Sequence, residues 1–124
     1  MFSKGKSRRS NYHSKRQTFN PRTKTFGTLP IHKSNFDKNH HPHVVVEKNN
    51  GNWLSVGIQS NSKSGKHTLK KVYESNGEIG YMHHYVSKGK SKDYTNKPES
   101  WHVDIESETR AKSMVDNYKQ KNKH

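Results

Sequence analysis

After His43 the apolar positions fall into short β-branched and aromatic runs broken by turn signals. Val44-Val45-Val46 ends at Asn49-Asn50-Gly51-Asn52, and Trp53-Leu54-Ser55-Val56-Gly57-Ile58 follows. Asn-Gly accepts the positive φ angles of a tight hairpin turn, so the two runs predict an antiparallel hairpin. A polar loop, Ser60 to Lys66, leads to His67-Thr68-Leu69-Lys70-Lys71-Val72-Tyr73. Asn76-Gly77 then turns the chain into the run from Ile79 to Val86. The pattern predicts a four-stranded meander, with Trp101-His102-Val103 as a fifth strand after a polar loop from Lys88 to Pro98.

From about Ser107 the period changes. Ala111, Met114 or Val115, and Tyr118 recur at helical spacing, with Glu106 and Glu108 early and Lys119, Lys121 and Lys123 late. That charge order suits the helix dipole, and Ser107 or Asp104 supplies the cap. The fold class expected is therefore mainly β: a small SH3-like antiparallel barrel with a C-terminal helix.

Before His43 neither a helical nor a strand period is visible. From Met1 to Phe36 there is no acidic residue, against Lys4, Lys6, Arg8, Arg9, Lys15, Arg16, Arg22, Lys24 and Lys33. Residues 1 to 36 read as a basic disordered arm, and 37 to 124 as the β domain. Tyr12, Phe19, Phe26 and Phe36 punctuate the arm. Aromatics among cations stack on bases in single-strand binders; alternatively Phe26, Leu29, Ile31 and Phe36 tie the arm to the domain.

Composition sharpens this picture. Only 25% of the 124 residues are hydrophobic, too few for a core spread along the whole length. Lys and Arg number 24 against 10 acids, a formal charge of +14, and such a field favours a polyanion. The partner expected is nucleic acid, RNA or DNA, or a nucleoprotein complex. Besides the arm cations, Lys63, Lys66, Lys70 and Lys71 are candidate phosphate contacts. No run is apolar enough to span a bilayer, and the opening residues lack a signal peptide's apolar core, so no membrane partner and a cytoplasmic location are expected. Cysteine is absent, which excludes disulfides and thiolate metal sites.

Two further patterns bear on chemistry. Lys63-Ser64-Gly65-Lys66-His67-Thr68 has phosphate-loop residues but strands on both sides, so it reads as a loop that touches phosphate rather than a nucleotide-hydrolysing motif. Histidines cluster at His40-His41-Pro42-His43 and at His83-His84, with His67 and His102 elsewhere. Their spacing matches no zinc site, and strand alternation puts His83 and His84 on opposite faces. No metal or other cofactor is expected, and the histidines read as polar groups that gain charge below pH 6.5.

The stretch from His41-Pro42-His43-Val44-Val45-Val46 through Asn52-Trp53-Leu54-Ser55-Val56-Gly57-Ile58 resembles the opening strands of the PemK/MazF-like toxin superfamily, over about residues 40 to 118. It is also similar to small PemK-like proteins of phages and other mobile elements. The resemblance implies an SH3-like barrel, a mobile-element origin and, in its toxin members, metal-independent RNA cleavage by an arginine and a Ser or Thr. Between Arg22 and Arg110 this chain has no arginine. By the resemblance, Ser60 or Thr68 takes the hydroxyl position and His67 or Lys70 replaces the cation. Three functions are thus expected in order: a non-enzymatic nucleic-acid-binding protein, a PemK-like endoribonuclease, and a phage-encoded inhibitor or virion protein that binds an acidic protein partner.

Overall fold

The computed structural model describes residues 16–36 and 38–122. Eight strands and one long helix follow in order: β1 (Ile31–Lys33), β2 (Pro42–Asn49), β3 (Asn52–Gln59), β4 (Lys63–Ser64), β5 (His67–Thr68), β6 (Lys70–Tyr73), β7 (Ile79–Met82), β8 (Ser87–Gly89) and α1 (Ile105–Lys121). The fold is mainly β and antiparallel, with its helix at the C-terminal end.

The main sheet has the order β1-β2-β3-β7-β6, and β8 also pairs with β3. Strand β3 is long enough to be shared: its first half, Trp53 to Ser55, pairs with β8, and its end, Ile58 and Gln59, pairs with β7. The outer strands β1 and β6 do not pair with each other, so the expected barrel is not closed.

Asn50-Gly51 makes the predicted hairpin turn between β2 and β3. Gly51 sits at φ +81°, which its missing Cβ permits without strain. Register then sorts the side chains into rows. Ile31, Val44 and Val56 are in line across β1, β2 and β3 and all fully buried. One residue along, His32, His43 and Gly57 form the adjacent row, which the pleat turns to the other face. The apolar row meets Ile58, Val72, Met82, Val103 and Ala111 in the core. Helix α1 buries Ala111 and Val115. Its N-cap is Asp104 rather than Ser107: the carboxylate accepts from Ser107 N (3.3 Å), Ser107 Oγ (2.7 Å) and Tyr73 N (2.9 Å), so the cap also pins the end of β6.

Several expected elements differ. The run His67–Tyr73 breaks at Leu69, which turns into the core, leaving β5 to pair with β4 in a separate two-stranded hairpin. The run from Ile79 stops at Met82, and β8 takes up pairing further on. Trp101–Val103 makes only an isolated bridge from Val103 to Glu74.

The described part of the expected arm, 16–36, is laid onto the domain. Phe19 N donates to Gly77 O (2.9 Å), Gly27 N to Val103 O (2.9 Å) and Leu29 N to the Glu108 carboxylate (2.8 Å), while Ile31–Lys33 is a strand. Phe19 packs edge-on against Tyr73 at 5.0 Å. The boundary expected after Phe36 is thus not where the chain joins the fold. An extended segment anchored at scattered points needs no apolar period, which is why the pattern concealed it. Among the described residues no helix is long and apolar enough to cross a membrane.

Candidate nucleic-acid interface

The predicted cations divide sharply by environment. Lys4, Lys6, Arg8, Arg9 and Lys15 lie outside the described residues. Arg16 is engaged within the protein: its guanidinium donates to Glu78 (2.7 Å), Glu74 (3.1 Å) and the Ile79 carbonyl (3.0 Å). It therefore fastens the leader to the β6–β7 turn. Glu74 is fully buried, and burial pushes its carboxyl above the usual range while Arg16 pulls it back. Arg22 is exposed in a short 3-10 turn opened by Asn20, whose side chain accepts from Arg22 N at 3.0 Å. Lys24 lies over the Tyr73 ring at 4.1 Å.

Lys63, Lys66, Lys70 and Lys71 are all exposed on the β4–β5 hairpin and β6. None of the four is in an ion pair among the described residues. The sequence has no acidic residue between Glu47 and Glu74, so nothing in β3 to β6 neutralises them. Alternation sends Lys70 and Lys71 to opposite sides of β6, and the cationic surface wraps that edge.

Beside β4 an open cleft of about 650 Å³ is lined by Arg16, His41, Gln59, Ser60, Asn61 and Lys63 among others. Gln59 donates to the carbonyls of Asn61 and Lys63, each at 2.9 Å, and so holds the Ser60-to-Lys63 loop in shape. The cleft gathers a hydroxyl, an imidazole and an ammonium group.

Behind it lies a polar and aromatic layer on the His43 face of the sheet. The His43 and His83 rings are 6.3 Å apart, and His41 is 5.7 Å from His83. His43 Nδ1 shares a hydrogen bond with Ser55 Oγ (3.0 Å), which in turn pairs with the Tyr94 hydroxyl (2.8 Å). All three residues are buried. Burial raises the Tyr94 phenol, and the bond to Ser55 works against that. Among the described residues no group of three His, Cys, Asp or Glu is placed to hold a metal ion.

The catalytic candidates do not converge on one cavity. Ser60 lines the cleft, Thr68 lines a separate depression against α1, and His67 stacks on His84 at 3.8 Å. His83 is buried and His84 exposed, so these neighbours do take opposite environments. Sequence reasoning missed His41 as the imidazole that shares a cleft with Ser60, and Arg110 as a cation of the second depression. His41 carried one usable signal: it immediately precedes β2, which pairs with β3, and Ser60 immediately follows β3.

Compared with models of known protein families, with curated proteins and with solved structures, the chain matches none.

Proposed function

We propose that this is a small basic nucleic-acid-binding protein that grips phosphates through the edge formed by β4, β5 and β6. The observation that carries the reading is the set of four exposed lysines, 63, 66, 70 and 71, with no carboxylate paired to any of them among the described residues. Lysines that neutralise phosphates release the nucleic acid's condensed counterions without sequence readout, so affinity falls steeply with salt. The test is a salt titration of binding to labelled RNA and DNA. Replacing all four lysines by Gln lowers the slope of log affinity against log salt by about one for each phosphate no longer neutralised. An unchanged slope removes this edge from the interface.

One observation favours a second reading, a PemK-like metal-independent endoribonuclease. Ser60 shares its cleft with His41 and Lys63. An imidazole that takes the proton from the RNA 2′-hydroxyl as that oxygen bonds to phosphorus, beside an ammonium that meets the charge building on the phosphoryl oxygens, serves such cleavage, in which the P–O5′ bond breaks and the leaving 5′-oxygen takes a proton from the imidazolium or water. Labelled RNA incubated without metal distinguishes the two. Discrete fragments that vanish in His41→Ala support cleavage, and intact RNA leaves binding alone.

A further inference from the structure

We infer that the depression between β5, β6 and α1 is a subsite for an unpaired nucleobase and its adjoining phosphate. This rests on the nucleic-acid reading above and adds a ligand class at a place distinct from the cleft.

The site consists of two depressions that share His84 and Met114 in their walls. The smaller, about 220 Å³, also has Thr68, Leu69, Lys70 and Arg110. The larger, about 400 Å³, adds Tyr85, Tyr118 and Lys121. Both are lined mostly by apolar surface, with Lys70, Arg110 and Lys121 among the lining residues. Arg110 has a buried Nη1 with no hydrogen-bond partner among the described residues, and neither it nor Lys70 nor Lys121 is in an ion pair there. Arg110 thus carries a charge that no carboxylate among the described residues meets, and an anionic oxygen seated in the depression would meet it.

The rings identify the kind of anion. His67 and His84 are both exposed, yet they stack with planes 24° apart at 3.8 Å, and the Tyr85 ring, 48% exposed, stands edge-on to His84 at 5.2 Å. Solvent-exposed rings already arranged as a stack present a π face that a nucleobase extends, as in single-strand binders. An acidic peptide would satisfy Arg110 but has little use for a ring stack. A duplex hides its base faces, so the subsite takes only an unpaired base.

The test uses the full chain and three deoxyribose probes, which have no 2′-hydroxyl to cleave: a single strand of about ten nucleotides, an abasic strand of equal length, and a duplex. The base-bearing strand is expected to bind about tenfold more tightly than the abasic one. His84→Ala should erase that difference, and Tyr85→Ala, also at an exposed position, should reduce it. Equal affinity for abasic and base-bearing strands overturns the subsite but leaves the lysine edge standing. Failure to bind any of the three at low salt overturns both. A glutamate-rich peptide that binds in an Arg110-dependent way, where the base-bearing strand does not, makes the groove a protein site and overturns the inference as well.

Discussion

Gly57 lies directly beneath the ring of His83: a Cβ at that position would stand 2.4 Å from Nδ1 and 2.6 Å from Cε1, with His43 Cε1 at 3.2 Å. The two imidazoles approach β3 this closely only because the strand carries no side chain there. Gly57→Ala should therefore cost about 1 to 3 kcal/mol, as overpacking of a filled interior does. The midpoint of denaturant unfolding reads it, and an unchanged midpoint would show that the imidazole layer gives way.

Among the described residues Arg16 is the only cation paired with buried Glu74. Arg16→Ala should destabilise by about 1 to 3 kcal/mol, because it leaves a buried carboxylate without its donor. Adding Glu74→Gln should recover part of the loss. Equal stability of the single and double variants would mean that the leader is held by its backbone contacts alone.

The raised carboxyl of Glu74 also has a pH signature. Its folded pKa lies above the ordinary 4.5, so between the two values the native state binds more protons than the unfolded chain. This contribution to stability is whole below about 4.5 and is lost as pH rises through the folded pKa. Relative to the parent, Glu74→Gln should gain stability as pH climbs across that window, measured as the difference in melting temperature.

His32 runs the opposite way. Burial, followed by Lys48, lowers its pKa below 6.5 against the pull of the Thr95 carbonyl, which Nδ1 meets at 2.9 Å. The unfolded chain binds the extra proton, so this contribution is present above 6.5 and disappears as pH falls through the folded pKa. His32→Asn should flatten the acid limb of the stability profile, and an identical acid limb in parent and variant would assign that limb to other groups.

Tyr94→Phe takes one partner from Ser55 Oγ and leaves it His43 alone. A loss of about 1 kcal/mol is expected in equilibrium unfolding. The stacking of ring 94 on Trp53 should persist, since it does not involve the hydroxyl.

The two tight turns and the C-terminal helix were legible in the chain because their signals are local. Asn50-Gly51 needs only its own dihedral freedom, and α1 needs only a cap, an apolar stripe and a charge order within a few turns. Strand β1 was hidden. Ile31–Lys33 is three residues long and becomes a strand by pairing with Pro42 to Val44, with no period of its own to announce it. Likewise Leu69, in a run that reads as one strand, breaks that run because the core takes its side chain.

By itself the sequence determined the β-rich class, the helix at the end and the imbalance of charge, since turn chemistry, side-chain period and net charge are properties of neighbouring residues or of simple sums. Tertiary structure alone decided which charges remain available. It gave Arg16 to Glu74, 58 positions away, left Lys63, Lys66, Lys70 and Lys71 outside any ion pair among the described residues, and set His41 beside Ser60 and His67 against His84. The reason is register: contacts across tens of residues follow from strand order and alignment, and a shift of one residue would turn the strand residues Lys63, His67, Lys70 and Lys71 to the other face.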